Sequence, residues 1–284
     1  MIPSKPPSSV EKIVSVHDLK FTYEGGVEAI RDVNLDIKRG EFIAIVGGNG
    51  SGKTTLAKNM NGLLRPTSGT VTVAGIPTSK QRVAALARVV GYAFQNPDHQ
   101  LFCSSVEDEI SFGPTNLGYS RDAVHDKVEK AIEAMNLEGI RKLPPLSLRL
   151  GERRRISIAS VIAMDPQVLI LDEPTTGLDA GESIELMRRL KRLNADGKTI
   201  VLITHDMKLV ADNARRVVIM AHGRVVLDSD PRGAFSDLDI LRQGSLEPPA
   251  VTQLAHRLSG YGVPRDILSP EELVTNLMRI RGGT

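Results

Sequence analysis

The sequence has little that would cross-link it or place it in a membrane. Its 284 residues include one cysteine, Cys103, so no intramolecular disulfide can form, which fits a reducing compartment. No apolar run approaches the roughly 18 residues that a membrane helix needs, since "FIAIV", "VLIL" and "TIVLIT" have strand length. The N-terminal "MIPSKPPSSV" lacks the apolar core of a signal peptide. Its prolines predict a loose tail over residues 1–12.

An excess of charge of one sign is also missing. Lysine and arginine total 36 against 34 aspartates and glutamates, a formal net charge of +2. That charge is too small to indicate a nucleic-acid-binding surface, so no nucleic-acid partner is expected. There is no internal repeat or low-complexity block, and a hydrophobic content of 41% is ordinary for a globular protein. These absences predict a soluble, cytosolic protein that would contact a membrane only through partners.

Two kinds of apolar segment predict two sheets. Three segments rich in β-branched residues partly alternate with polar residues, which is typical of antiparallel strands: 13–23, 27–37 and 70–75. Three others are continuous apolar runs that end in polar residues: 42–47, 167–172 and 198–206. Such runs are typical of strands buried on both faces of a parallel sheet, with active residues at their carboxyl ends.

Helical spacing of apolar residues appears in two further segments. The two sets are Val124, Val128, Ala131, Ile132 and Met135, and then Ile184, Met187, Leu190 and Leu193. The region from about 97 to 165 is mainly helical and interrupts the parallel strands, which predicts a helical subdomain. Residues 231–284 predict a helical appendage, in which Ser269 and the acidic residues after it begin a helix.

The stretch "GGNGSGKTT" follows the buried strand at 42–47 and fits the pattern G-x-x-x-x-G-K-[ST]. Its glycines let the backbone turn tightly, so that N–H groups and the N-terminus of the next helix face phosphate oxygens. Lys53 would neutralise the β- and γ-phosphates of ATP, and the Thr54 hydroxyl would bind Mg²⁺. The predicted nucleotide-binding residues of this phosphate loop are Gly47, Gly48, Asn49, Gly50, Ser51, Gly52, Lys53, Thr54 and Thr55.

A second motif, "VLILDEP", is a strand that ends in two carboxylates. Asp172 would hold Mg²⁺ through water, and Glu173 would polarise the attacking water as a general base. An isolated Asp-Glu pair after a strand is usually a solvated loop. Together with the phosphate loop, however, the pair predicts nucleotide hydrolysis.

The order of these motifs resembles an ABC-superfamily ATPase cassette, from about residue 13 to 230. The resemblance implies an α/β fold, a RecA-like P-loop NTPase core with an antiparallel β-subdomain and an inserted helical subdomain. It implies that Tyr23 stacks on adenine and that Gln95 contacts the metal and the attacking water. It further implies that His205 hydrogen-bonds the γ-phosphate and that Asp179 lies in a loop that crosses to a partner subunit.

Two longer stretches narrow the resemblance. The segment "QNPDHQLFCSSVEDEISFGPTNLG" (95–118) is similar to the ATPase, or A, component of energy-coupling factor transporters, including the cobalt and nickel type. The tail "LEPPAVTQLAHRLSGYGVPRDILSPEELV" resembles the C-terminal extension of that group. The resemblance implies two paired cytosolic ATPases, a membrane coupling (T) protein and a substrate-capture (S) protein, which import a vitamin or a transition-metal ion. It also implies that the extension stabilises the ATPase pair.

One motif departs from this family. ABC cassettes carry the signature L-S-G-G-Q at the start of a helix, 24 residues before the metal-binding aspartate. Counting back from Asp172 (172 − 148 = 24) aligns it with Leu148, Arg149, Leu150, Gly151 and Glu152. An alternative through "LS" at 146–147 requires a two-residue insertion. The "ERRR" at 152–155 is interpreted as a solvated or interface helix face rather than a second phosphate site.

Two replacements in this signature matter most, Arg149 for serine and Leu150 for the first glycine. In the family, two cassettes pair head to tail, and each signature contacts the γ-phosphate bound by the other. Loss of one preorganised donor costs about 3 kcal/mol in the transition state, roughly a hundredfold in rate. Leu150 would also crowd the backbone near phosphate, although the guanidinium of Arg149 could pair with phosphate oxygens.

The sequence therefore predicts a heterodimer of this chain with a second ATPase whose signature is intact. Two alternatives stay open. The first is a regulatory or structural subunit that binds ATP with negligible turnover of its own. The second is a soluble ABC protein of translation or chromosome maintenance, which would usually carry a second cassette or a long coiled coil, and this chain has neither.

Overall fold

The computed structural model describes residues 11–282. The strands are β1 Lys12–Thr22, β2 Glu28–Lys38, β3 Phe42–Val46, β4 Ser68–Val73, β5 Ile76–Pro77, β6 Val90–Ala93, β7 Val168–Asp172, β8 Thr199–Thr204, β9 Arg216–Ala221 and β10 Arg224–Ser229. The helices are α1 Lys53–Met60, α2 Val83–Leu86, α3 Val106–Asn116, α4 Arg121–Met135, α5 Leu150–Ile162, α6 Ala180–Ala195, α7 Met207–Asn213, α8 Pro231–Ser236, α9 Leu238–Gln243, α10 Ala250–Arg257 and α11 Pro270–Gly282. Within residues 11–282, no helix has the length and apolar character needed to cross a membrane.

The smaller sheet is antiparallel, as its alternating sequence predicts, with the order β2-β1-β4-β5. Gly25 and Gly26, both at positive φ, make the turn between β1 and β2. Lys12 already pairs with Lys38, so β1 begins inside the tail predicted for residues 1–12. The rest of that prediction, residues 1–10, lies outside the described residues.

The larger sheet has the order β10-β9-β3-β8-β7-β6, and all of its neighbours are parallel except β10 against β9. Every residue of β3, β7 and β8 is buried, as their continuous apolar runs predict. Because β8 lies between β3 and β7, the carboxyl ends of these three strands meet at one edge. The phosphate loop, the two carboxylates and His205 therefore lie side by side.

Helices α3, α4 and α5 come between β6 and β7 in the sequence, and they pack against one another. Val128, Ala131, Ile132 and Met135 of α4 are buried at the predicted helical spacing. In α6, by contrast, the buried face is centred on Leu186, Met187 and Leu190. Ile184 fits the helical spacing but is 71% exposed, because it faces a groove between α6 and α7.

The core of the nucleotide-binding unit continues past residue 230, where the sequence placed a domain boundary. Phe235, Leu241 and Leu246 are buried in one cluster with Val46 of β3 and Ile219 of β9. A chain cut at 230 would thus lose part of this core.

A small separate core begins beyond that point. It comprises Ala255, Val263, Ile267 and Leu273. Its last helix starts as the sequence predicts, because the Ser269 hydroxyl accepts a hydrogen bond from the Glu272 N–H at 3.2 Å. The unit that stands apart from the nucleotide-binding core therefore begins near α10.

Candidate nucleotide-binding site

A cavity of about 330 Å³ opens at the carboxyl edge of the parallel sheet. It brings together residues that lie far apart in the chain: Tyr23, Val27, Glu28, Ala29, Asn49, Gly50, Gly52, Lys53, Thr54, Thr55, Gln95, Asp172 and Glu173. Most of the predicted nucleotide and metal residues line it. The signature residues and Asp179 do not line this cavity, so one chain carries two separate faces.

The phosphate loop joins β3 to α1. Gly52, at φ 103°, precedes the first residue of α1, and a Cβ there would lie 2.7 Å from the carbonyl oxygen of Ala29. The Lys53 ammonium donates to the carbonyls of Gly47 at 2.7 Å and Gly48 at 2.9 Å. Burial lowers the pKa of Lys53, while Asp172 and Glu173 oppose that change. A phosphate group in this loop would give the buried ammonium an anionic partner.

Three oxygen donors for a metal face the same cavity. The Thr54 hydroxyl donates to Oδ2 of Asp172 at 2.9 Å, and Gln95 lines the same cavity. Mg²⁺ prefers such hard oxygen ligands and usually takes the rest of its shell from water and phosphates. Among the described residues there is no group of three or more His, Cys, Asp and Glu that could hold a metal. The donors therefore fit a Mg²⁺ ion that arrives with a nucleotide.

Glu173 and His205 form a polar pair at the ends of β7 and β8. Glu173 Oε1 lies 2.7 Å from His205 Nδ1. The Glu173 backbone is left-handed, at φ 48°, and its N–H donates to the carbonyl of Ile203 at 2.8 Å. A non-glycine residue in this region is strained, and such strain is concentrated at functional sites. Glu173 is 8% exposed and lines the cavity, whereas the His205 side chain is 66% exposed and lies beside the cavity without lining it.

Tyr23 lines the cavity and comes immediately after β1. Its ring packs edge-on against Phe21, with centroids 4.8 Å apart, and its hydroxyl lies 2.9 Å from Oγ1 of Thr55. The ring is 40% exposed next to Val27. These contacts hold an open aromatic face where an adenine could stack.

Tyr92 is a site residue that the motifs do not reveal. It lies in β6, and its hydroxyl donates to Oδ2 of Asp172 at 2.6 Å. Burial, followed by the charge of Asp172 and this hydrogen bond, raises the pKa of Tyr92, so the hydroxyl stays protonated. The only signal in the sequence is a tyrosine inside the buried strand "VGYA".

The segment that the direct alignment assigns to the signature, 148–152, covers the start of a helix. Helix α5 begins at Leu150 with Arg149 as its N-cap, and the Arg149 N–H donates to the Glu152 carboxylate at 3.0 Å. Arginine has no acceptor with which to return this bond, as a serine would. Ser147 lies in a short 3₁₀ turn and donates to the carbonyl of Pro144, so it does not cap α5.

Leu150 and Gly151 of the turn both lie against the segment that runs from Gly177 into the first turn of α6. A Cβ on Gly177 would lie 2.6 Å from Cδ2 of Leu150, so Leu150 packs over this glycine. The carboxylate of Glu182 lies against Gly151 in the same way. A carboxylate at the start of a helix takes up the positive end of the helix dipole that would otherwise favour a phosphate.

The interpretation of "ERRR" as a solvated or interface face is wrong for Arg154, which is 3% exposed. Its guanidinium donates to the carbonyls of Phe94, Gln95 and Thr176. Burial lowers the pKa of Arg154, although nearby carboxylates partly offset this. The three arginines are consecutive in α5, and the middle one points inward and connects this helix to the loop of Gln95. This role could not be predicted from the sequence, because its partners lie in two loops that are distant in the chain.

Asp179 is the N-cap of α6. Its Oδ1 accepts the Glu182 N–H at 2.8 Å, and its own N–H donates to the Glu182 carboxylate at 3.3 Å. This capping box fixes the loop in front of α6.

Comparisons with known proteins agree with the geometry. The family model described as ABC transporter matches residues 30–176. A putative ABC transporter ATP-binding protein of Caldanaerobacter subterraneus is 45% identical over 263 residues, which are 93% of this chain and 45% of that protein. The chain thus spans less than half the length of this relative.

Other relatives match over nearly their whole length. An energy-coupling factor transporter ATP-binding protein, EcfA1, of the same organism is 40% identical over 94% of this chain and 99% of its own. The solved structure of cbiO1 from Clostridium perfringens, described as part of the ABC transporter complex cbiONQ, is 37% identical with a TM-score of 0.75. It covers 86% of this chain and 99% of its own.

Proposed function

This chain belongs to the ABC transporter family, and we propose that it is the ATP-hydrolysing A component of an energy-coupling factor importer. The observation that carries the proposal is the pair of Glu173 and His205, 2.7 Å apart beside the cavity that Lys53 and Asp172 line. A protein that only bound nucleotide would have no need of this pair.

We infer the following roles from the geometry. Tyr23 stacks on adenine, and Lys53 exchanges the carbonyls of Gly47 and Gly48 for the β- and γ-phosphates. Thr54, Asp172 and Gln95 would hold Mg²⁺, which neutralises phosphate charge when it is bound. Glu173 and His205 are close enough for both to face the γ-phosphate. Glu173 would accept the proton of the attacking water.

The second ATPase of the complex would complete this site. In a head-to-tail pair, the partner's signature reaches the nucleotide of this chain, and this chain's turn at 149–152 reaches the partner's nucleotide. Arg149 and Leu150 remove a hydroxyl and an open glycine position from that turn, and Glu182 adds a negative charge beside it. We therefore propose a heterodimer in which the site on this chain is competent and the site on the partner is weakened.

The C-terminal unit offers a surface for such a pair. On α11, Val274, Leu277 and Met278 are 53%, 39% and 65% exposed, and Leu277 and Met278 lie about one helical turn after Val274. Apolar residues at this spacing form a stripe that favours burial against a partner. We propose that this stripe contributes to pairing of the ATPases.

The membrane partners would dock near the loop of Gln95. Phe102 and Phe112 are 62% and 47% exposed and pack edge-on with centroids 4.8 Å apart. The buried carboxylate of Glu109 accepts the N–H groups of Phe102 and Cys103, each at 2.8 Å, and fixes the loop. We propose that this aromatic pair receives the coupling protein, which would hold the chain at the cytoplasmic face of the membrane. A vitamin or a transition-metal ion would be the cargo.

The test of this function is co-purification of the chain with membrane proteins. The double variant Phe102→Ala/Phe112→Ala should bind ATP like the natural chain, because these rings do not line the nucleotide cavity, but should retain less than about a tenth of the membrane partners. The exposed pair Ile76→Ala/Val83→Ala, on β5 and α2, serves as the control, since neither residue belongs to a proposed surface and the variant should keep the membrane partners. Undiminished co-purification by the double phenylalanine variant would contradict the proposed docking surface.

A regulatory subunit that binds ATP with negligible turnover is the second candidate. The observation that favours it is the turn at Arg149 and Leu150, which lacks the family's donors. The two candidates differ in what Glu173→Gln does to the assembled complex. Turnover falls steeply if this chain hydrolyses ATP and is unchanged if it only regulates.

A further inference from the structure

We propose that Tyr92 is a positioning residue for the metal-binding carboxylate of Asp172. The inference rests on the proposed function, because it gives Tyr92 a part in binding Mg²⁺ together with ATP. In the parallel pairing of β6 with β7, Tyr92 lies opposite Ile170, two residues before Asp172. Its hydroxyl reaches Oδ2 of Asp172 at 2.6 Å.

The Tyr92 ring has little freedom to move. Tyr92 is 8% exposed and belongs to the core cluster between the two sheets. Phe94 packs edge-on against the ring, with centroids 4.9 Å apart. A buried tyrosine hydroxyl requires a partner, and here the partner is a carboxylate that is itself only 3% exposed. The hydroxyl is therefore a fixed donor and not one that rotates to suit solvent.

The two donors to Asp172 differ in what they do when a metal binds. Thr54 and Tyr92 both donate to Oδ2. Thr54 is itself a proposed metal ligand, so its hydroxyl must turn a lone pair toward the ion. Tyr92 is no ligand and can keep its hydrogen bond in both states. Hydrogen bonds from outside the ligand shell orient ligands, and their loss typically lowers metal affinity by about 10- to 100-fold.

The test separates metal binding from nucleotide binding. A fluorescent, non-hydrolysable ATP analogue is titrated into the full chain, once in excess Mg²⁺ and once in EDTA. The ratio of the two affinities measures how much the metal strengthens binding. In Tyr92→Phe, which keeps the ring, we expect this ratio to fall about tenfold while the affinity in EDTA stays within about twofold.

Three variants complete the experiment. Asp172→Asn should lower the ratio further, because it removes the charge of the carboxylate that would hold the metal, and Tyr261→Phe, with a ring that is 75% exposed, should leave it unchanged. If Tyr92→Phe folds poorly, Tyr92→Met takes its place, because methionine fills similar space without a hydrogen-bond donor. It should lower the ratio by about the same factor. A natural ratio in Tyr92→Phe, or an equal loss of affinity with and without metal, would overturn the inference. Failure of the natural chain to bind the analogue would instead contradict the proposed function.

Discussion

The nucleotide cavity and the signature turn lie on two faces of one chain, and they differ in the space and charge that they offer a phosphate. In the cavity, Asp172 and Glu173 each have fixed neighbours, and the Lys53 ammonium bonds only to its own loop. At the turn, Leu150 fills the space over Gly177, and Glu182 occupies the side of Gly151. The first face is prepared for a phosphate, and the second is already occupied by its own chain.

If the chain pairs head to tail as proposed, the turn at 149–152 would serve the partner's nucleotide. Changes in this motif would then leave the chain's own site intact. Single and paired substitutions can probe the two faces separately.

Glu173→Gln tests the nucleotide face. The amide keeps the shape of the side chain but cannot accept the proton of the attacking water, so the ATPase rate of the assembled complex should fall by about a hundredfold or more. Binding of ATP should be retained. The control is Glu138→Gln, an exposed position in the helical subdomain that should keep full activity. A small loss in Glu173→Gln would mean that the competent site lies on the partner.

Arg149→Ser/Leu150→Gly tests the signature face. The pair restores the hydroxyl and the glycine of the family's turn, and it should raise the ATPase rate of a homodimer by about ten- to a hundredfold. Nucleotide affinity of the isolated chain should not change, because the turn does not line its own cavity. The single change Arg153→Ser, on the same helix, is the matched control. An unchanged rate in the double variant would show that Arg149 already replaces the lost serine.

Arg154→Gln tests the connection between the two faces. The guanidinium links α5 to the carbonyls of Phe94, Gln95 and Thr176, and hydrogen bonds to a charged group are worth about 1.5–3 kcal/mol. We expect an ATPase rate about tenfold lower, measured beside the melting temperature. Arg153, which pairs with Asp98 nearer the surface, is the control as Arg153→Gln. Equal effects of the two substitutions would remove the special role of Arg154.

The smallest predicted effect is on the acid stability of the helical subdomain, through Glu107. Hydrogen bonds from Arg141 and Lys142 lower the pKa of Glu107 from 4.5 to about 2. A lowered folded-state pKa stabilises the fold above the unfolded value, so this contribution is present at pH 7 and is lost as the pH falls from 4.5 toward 2. Glu107→Gln should lower the melting temperature slightly at pH 7, and the difference should shrink below pH 4.5. A difference that is constant with pH would contradict this.

The sequence predicts the cavity better than it predicts the connections around it. Asp172 ends one buried strand, Glu173 follows it, and His205 follows the next, and because parallel strands end at one edge of a sheet, the sequence alone predicts that they lie close together. Tyr92 could not be assigned in this way. Its hydrogen bond to Asp172 spans 80 residues, and an aromatic residue in a strand is normally core.

The same limit applies to Arg154 and to the appendage. Charge alone favoured a solvated position for Arg154, but the packing of α5 turns it inward onto two loops. Phe235 and Leu241 follow a loop that resembles a domain boundary, yet they complete the core under β3 and β9. Periodicity gives the faces of an element, whereas the partner of each face depends on the tertiary fold.

The most direct measurement is the steady-state Mg-ATPase rate of the purified chain, with its oligomeric state verified, before and after addition of a second cassette that carries L-S-G-G-Q. We expect little turnover from the chain alone and a rise of at least about tenfold on mixing. That rise should disappear when the added cassette lacks its signature serine and glycine. Strong turnover from a verified homodimer, abolished by Glu173→Gln, would contradict the asymmetry and show that Arg149 and Gly151 suffice.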